Sequence, residues 1–298
     1  MPSAVSSGMD LKPLIRRAVR GDDHAIAELI SIAEDVPSSQ REIERLLPAG
    51  KAVHLIGLTG PPGCGKSTLV DKLISRYRKR GQSVGVIAVD PTSPTTGGAI
   101  LGDRIRMTNH FTDPGVFIRS MASRGELGGV AKATAFAAKI LSACGKDIVL
   151  IETVGVGQLE VSVRKVVDSL CVVLTPASGD DIQFMKAGIM EVAHLFVLNK
   201  AEDPKSGQII GLLNEYVRDQ FGHSSWHPPV VATVALENKG IDELVVKLDE
   251  HLAYLKKSGA RKIRGRNSAT GAPGAPSRAR DPLQTNPEFR NATSSANG

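Results

Sequence analysis

The segment Leu55-Ile56-Gly57-Leu58-Thr59-Gly60-Pro61-Pro62-Gly63-Cys64-Gly65-Lys66-Ser67-Thr68-Leu69 decides the reading of this chain. Val53 to Leu58 is an apolar run of strand length. Gly60 to Ser67 then meets every fixed position of the G-x-x-x-x-G-K-[ST] phosphate loop. From Ser67 to Arg80 the apolar residues Leu69, Val70, Leu73, Ile74 and Tyr77 recur at helical spacing. The motif therefore stands between a strand and a helix, the context its chemistry needs.

That chemistry dictates the residue types. A triphosphate needs many donors at close range. Glycines let the backbone turn with positive φ and bring N–H groups against phosphate oxygens. The N-terminus of the next helix adds partial positive charge. Lys66 is placed to reach the β- and γ-phosphates, and Ser67, or its neighbour Thr68, to set a hydroxyl on Mg²⁺. The nucleotide cradle is thus expected at Gly60, Pro61, Pro62, Gly63, Cys64, Gly65, Lys66, Ser67 and Thr68.

The 298 residues hold one large α/β domain or two small ones. An apolar fraction of 41% and a charged fraction of 23% belong to a soluble globular protein. No apolar run reaches membrane-spanning length, which excludes a membrane partner of that kind. The three cysteines are far apart and odd in number, which suggests no disulfide framework and a reducing cytoplasm. The net charge of +6 is unevenly spread. From Lys256 onward there are nine Lys/Arg and two Asp/Glu, or +7, so the body carries 6 − 7 = −1. Basicity confined to a tail speaks against a nucleic-acid-binding domain.

Outward from the loop, strands alternate with helices. Ser83–Val89, Val116–Ser120, Asp147–Ile151, Ser169–Leu174, Leu195–Leu198 and Val230–Val234 read as strands. Gly129–Cys144, Lys205–Phe221 and Ile241–Leu255 read as helices. This order predicts an α/β phosphate-loop fold, a mostly parallel sheet with helices on both faces. Ahead of it, Leu11–Arg20 and Asp22–Ala33 read as short amphipathic helices, and Ser38 or Ser39 as the cap of a third through Leu47. Residues 91–102 form a long Pro/Thr/Ser/Gly loop, a type usually functional or mobile. The expected divisions are a helical extension at 1–50, the nucleotide domain at 51–256 and a disordered basic tail at 257–298, too poor in apolar residues to pack.

Ligands of such sheets lie beyond the C-terminal strand ends. Glu152 ends one strand and is followed by Gly155, where an acid near Mg²⁺ precedes a glycine whose N–H meets the γ-phosphate. Asp90 closes the neighbouring strand and Asp103 the long loop, two further carboxylates for a hydrated cation. The run Asn199-Lys200-Ala201-Glu202 resembles the N-K-x-D guanine station. A carboxylate there accepts from the guanine N1 and N2 donors, a pair that adenine lacks. Thr233, Val234 and Ala235 follow another strand and offer a backbone N–H to guanine O6.

Together with Asp90-Pro91 through Asp103-Arg104, Arg119-Ser120, Gly128-Gly129, the run from Glu152 to Gln158, and Pro176 to Asp180 with Gln183 and Lys186, these residues resemble the MeaB/ArgK family of phosphate-loop GTPases. The resemblance runs from about Leu14 to Leu255. It implies GTP and Mg²⁺ as cofactors, and hydrolysis to GDP and phosphate by Lys66, Glu152, Gly155 and Gln158. It also implies chaperone action on an adenosylcobalamin-dependent acyl-CoA mutase such as methylmalonyl-CoA mutase, with gating of cofactor loading. Residues 91–102 would be a first switch, 152–160 a second, and 179–188 a third, whose Asp180, Gln183 and Lys186 relay nucleotide state.

Two departures stand out. The guanine-selecting acid of the family is usually aspartate, and here it is Glu202. The family continues into a helical arm that helps a homodimer form, whereas this resemblance stops near Gly259, leaving the dimer open. Alternatives are a kinase of an arginine/ornithine-type transport system, which needs a separate substrate base, a nickel-delivery GTPase, which needs clustered His or Cys rather than seven scattered histidines, and an adaptor that only binds nucleotide.

Overall fold

The computed structural model describes residues 10–90, 107, 109–122, 127–153, 163–176 and 188–261. Seven strands form one sheet: β1 (His54–Thr59), β2 (Val84–Asp90), β3 (Val116–Ala122), β4 (Ile148–Thr153), β5 (Ser169–Leu174), β6 (Leu195–Asn199) and β7 (Val230–Thr233). Their order is β3-β2-β4-β1-β5-β6-β7, and every pairing is parallel. β1 is central, with Leu58 beside Glu152 of β4 and Thr59 beside Val172 of β5. The expected α/β fold with a parallel sheet is the one found.

Alternation of side chains assigns the two faces. Along β5, Leu170, Val172 and Leu174 enter one core cluster, while Cys171 and Val173 enter the other. β6 repeats this, with Phe196 and Leu198 on the first side and Leu195 and Val197 on the second. Two helices fill the second face: α4 (Lys66–Lys79), through Leu69, Leu73 and Tyr77, and α7 (Ile241–Lys257), through Ile241, Leu244 and Leu248. The first face takes α5 (Leu127–Ala143) and α6 (Ser206–Phe221).

The N-terminal helices α1 (Leu11–Val19), α2 (Asp23–Asp35) and α3 (Gln40–Leu46) bury Leu14, Ile26, Leu29 and Ile43 in the same cluster as Phe136 and Ile140 of α5. Arg119 of β3 also reaches α2, donating to Glu34 Oε2 at 2.7 Å and Ser31 Oγ at 3.0 Å. Asp10 and Asp22 cap α1 and α2, accepting from Lys12 N at 3.0 Å and Ala25 N at 3.1 Å. The expected serine cap of α3 is not made. Pro37–Ser39 is a turn of 3₁₀ helix, and Ser39 Oγ donates backwards to Val36 O at 2.7 Å. Proline at that point fixes φ for the tighter turn, so the serine hydroxyl faces the preceding carbonyls. At the other end, Arg261 donates to Val53 O at 2.5 Å and lies 3.6 Å from Asp168.

The N-terminal ends of the strands hold a polar chain. His54 Nε2 and His251 Nδ1 each lie 2.8 Å from Ser169 Oγ. His194, just before β6, accepts from Leu170 N at 2.8 Å through Nδ1, and its ring centre is 4.4 Å from that of His251. Burial is the main cause that holds all three neutral. It pushes His54 down to about 3, helped by the charges of His251 and Arg261. His194 falls to about 2 and His251 to about 4, each with Arg164 as the next cause.

Candidate nucleotide site

At the opposite, C-terminal ends of the strands, β1 runs into the phosphate loop. Gly60, Gly63 and Gly65 take φ of 148°, 78° and 93°. Two of these glycines are required by space as well as by conformation. A Cβ on Gly60 would lie 2.1 Å from Val173 O, and one on Gly65 would lie 2.3 Å from Asn199 Nδ2. The loop is therefore pressed against the ends of β5 and β6, and Gly65 opens directly into α4.

Lys66 and Ser67 occupy the first turn of α4, and both are buried. Lys66 Nζ donates to Gly60 O at 2.8 Å and Pro61 O at 3.0 Å. The ammonium is thus held inside the loop it serves. Ser67 Oγ donates to Glu152 Oε1 at 2.7 Å. Glu152 is 4% exposed at the end of β4. A buried hydroxyl and a buried carboxylate converging on one point form an all-oxygen donor set, which suits Mg²⁺.

Asn199 ends β6 and is buried. Its Nδ2 donates to Cys64 O at 2.9 Å, and its Oδ1 accepts from Thr233 Oγ1 and Ala235 N, both at 3.1 Å. One amide therefore ties the phosphate loop to the segment after β7. Lys200 follows in the left-handed region at φ 60°, and Ala201 N donates to Thr233 O at 3.0 Å. This turn brings Glu202 to the rim, where it is exposed. The adjacent Asp203 is engaged locally, accepting from Lys205 N at 2.8 Å. Of the two neighbouring acids, Glu202 is the one that lines the cleft.

One cleft of about 400 Å³ joins these parts. Pro62, Gly63, Gly65, Lys66, Ser67 and Thr68 form its phosphate end, with Glu152 beside them. Asn199, Lys200, Glu202, Val234 and Ala235 form the far end. The sequence reading missed Leu236, which also lines that end and is 82% exposed. It rides on a closed turn in which Val234 and Lys239 exchange backbone hydrogen bonds at 3.1 and 3.2 Å. A lone exposed leucine after a strand has no periodicity to mark it, so nothing local announced this wall. Asp90 stands at the end of β2 as expected. The expected positions Asp103, Gly155, Gln158, Asp180, Gln183 and Lys186 lie outside the described residues.

A phosphate loop on the central strand, a hydroxyl–carboxylate pair beside it and an Asn-Lys-x-acid station in the same cleft define a phosphate-loop GTPase. The family described as methylmalonyl-CoA mutase-associated GTPase MeaB matches residues 26–272. The chain belongs to that family, and it is a GTPase. A relative in Pyrococcus abyssi, named as a GTPase, is 52% identical over 257 residues, covering 85% of this chain and 79% of its own. The GTPase ArgK of Escherichia coli is 37% identical over 242 residues, covering 77% of this chain and 72% of its own. A solved structure, described as a LAO/AO transport system kinase, superposes with a TM-score of 0.65 at 28% identity, over 86% of this chain and 79% of that one.

The base end makes a selective test. Glu202 offers a carboxylate one methylene longer than the aspartate usual there. Sites that hydrogen-bond their ligand reject analogues lacking the matching groups. GDP is expected to displace a fluorescent guanine nucleotide at least about tenfold better than ADP, and Glu202→Ala to erase the difference. Equal displacement by GDP and ADP in the unaltered protein overturns the guanine assignment.

Proposed function

We propose that GTP hydrolysis by this chain serves a chaperone role toward an adenosylcobalamin-dependent acyl-CoA mutase, gating cofactor loading and protecting the mutase. What supports the reading is the family match together with an intact nucleotide cleft. In that cleft Lys66 neutralises the β/γ-phosphates, the loop N–H groups hold their oxygens, and Asn199 and Glu202 orient the base. Ser67 and Glu152 would hold Mg²⁺, with Asp90 and Asp103 as further carboxylates toward it; the ion would supply positive charge against the charge of the transferring phosphate. Gly155 and Gln158 are assigned to the γ-phosphate and the attacking water. Asp180, Gln183 and Lys186 are assigned to the relay toward the mutase.

Val156 follows Gly155 where a water-orienting side chain is commonly found, and an isopropyl group aligns no water. Slow basal turnover is therefore expected, with acceleration when a mutase orders the second switch. Addition of purified methylmalonyl-CoA mutase is expected to raise GTP turnover about tenfold or more. Lys186→Ala is expected to lose the acceleration and keep the basal rate. Fast basal turnover that no cobalamin-dependent mutase changes overturns the chaperone reading.

A further inference from the structure

The far end of the cleft carries an apolar side chain that the hydrolysis chemistry does not use. Leu236 is 82% exposed and lines the cleft. The other exposed large apolar side chains among the described residues, Val19, Phe111, Leu212 and Val246, do not line it. A single exposed leucine on an open surface is ordinary. One fixed at the mouth of a ligand site has a ligand to meet.

The backbone that carries Leu236 is closed on itself. Besides the exchange between Val234 and Lys239, Glu237 N donates to Val234 O at 3.0 Å and Asn238 N to Ala235 O at 3.2 Å. Asn238 holds the left-handed region at φ 58°. Gly240 follows at φ 74°, where a Cβ would lie 2.0 Å from Ala232 O. Lys239 Nζ lies 2.7 Å from Glu237 Oε2, so an ion pair spans the turn. Glu237 holds that ammonium above its usual range, and the charge of Glu202, from the turn after β6, adds in the same direction. Leu236 is thus presented by a preorganised turn within electrostatic reach of the carboxylate that selects the base.

A purine presents its hydrogen-bonding groups at its edge, in the plane of the ring. A carboxylate such as that of Glu202 serves the edge. The two faces stay in water unless a side chain covers them, and ligand pockets commonly pair a few polar groups with apolar walls for this reason. Ala235 is buried and Val234 half-buried, so Leu236 has the most apolar surface left to give at this end. We propose that the Leu236 side chain covers one face of the bound purine, supplying affinity for any purine nucleotide while Glu202 supplies the choice of guanine. The inference rests on this cleft being the nucleotide site.

The test titrates GDP, IDP and inorganic pyrophosphate by calorimetry into the unaltered protein, Leu236→Ser and Leu236→Met. IDP keeps both purine faces and lacks the N2 amino group of guanine, and pyrophosphate has no base. Leu236→Ser is expected to weaken GDP and IDP by the same factor, about tenfold, the loss of part of a buried leucine's transfer free energy. Pyrophosphate binding is expected to be unchanged. Leu236→Met is expected to stay within about twofold of the unaltered protein for all three ligands, since it keeps an apolar side chain of similar volume. The urea midpoint of each variant is expected to be unchanged, because the side chain is mostly exposed. Leu236→Ser that binds GDP as tightly as the unaltered protein overturns the face contact and leaves the cleft standing. Equal losses for GDP and pyrophosphate also overturn it, because they mark a disturbed phosphate loop. A changed ratio of GDP to IDP affinity overturns the separation of roles between Leu236 and Glu202. Unaltered protein that binds neither GDP nor pyrophosphate overturns the cleft assignment itself.

Discussion

Lys66→Ala is expected to lower single-turnover GTP hydrolysis about a thousandfold, roughly 4 kcal/mol of transition-state stabilisation. Phosphoryl transfer offers little covalent chemistry for a protein to perform, so positioned charge carries most of the effect. Lys66 is the cation of the loop itself, and its Nζ is already fixed by Gly60 O and Pro61 O at 2.8 and 3.0 Å. Those carbonyls keep the ammonium aimed with few rotamers to lose. Arginine is not expected to rescue the variant, because a planar fork replaces one tetrahedral nitrogen in a buried space. GDP affinity is expected to fall less than turnover, since the backbone cradle remains. Rapid-quench measurement of one turnover decides the matter, and an unchanged rate overturns the assignment of this loop.

The second large effect lies at the other end of the sheet. His54, His194 and His251 are held neutral in the fold, at about 3, 2 and 4, against an ordinary value of 6.5. A base with a depressed folded pKa leaves the unfolded chain binding more protons below 6.5. Its stabilising contribution is thus full above pH 6.5 and is lost as pH falls toward the folded values. Each histidine removes about 1.4 kcal/mol per pH unit in that window, so the three together remove about 4. A domain of roughly 5–15 kcal/mol then approaches its unfolding midpoint within a few pH units. Urea midpoints at a series of pH values between 7 and 4.5 (about two units below the ordinary value) provide the measurement. Trp226, the sole tryptophan, reports on the region, its ring centre 4.7 Å from that of His251. His54→Gln keeps a polar atom for Ser169 and removes one titration, and is expected to flatten the slope by about a third. A slope identical in the two proteins contradicts the assignment of His54.

The phosphate loop, the strands along the chain and the helices on both sheet faces were legible because they are local patterns, whereas the order of strands in the sheet was not foreseen. Apolar alternation and glycine chemistry act over a few residues, and the buried runs at β1, β4, β5 and β6 carried them plainly. Lys66, Ser67, Glu152 and Asn199, each singled out from its own local motif, line one cleft. What was not legible depends on residues far apart in sequence. The histidines at 54, 194 and 251 looked scattered and served only to argue against a metal site. Parallel strands bring them together, because His54 and Ser169 each start a strand and His194 precedes one. Leu236 gained its place from a turn closed by Val234 and Lys239, and no pattern of polarity marks such a position. The misplaced cap at Ser39 has a different cause. A serine before a helix is equally suited to bond backwards, and Pro37 decided the direction.

The amide of Asn199 has a consequence for designing inhibitors from fragments. It fastens the floor beneath the phosphates and the wall beside the base with a single group, through Cys64 O on one side and Ala235 N on the other. A heterocycle seated at the far end of the cleft would lie against the segment this amide holds, and is expected to stiffen the loop that a diphosphate mimic must later fill. The ordering cost is then met once rather than twice. Two weak fragments joined across Asn199 should bind more tightly than their separate affinities multiply to, whereas each screened alone will undersell the cleft.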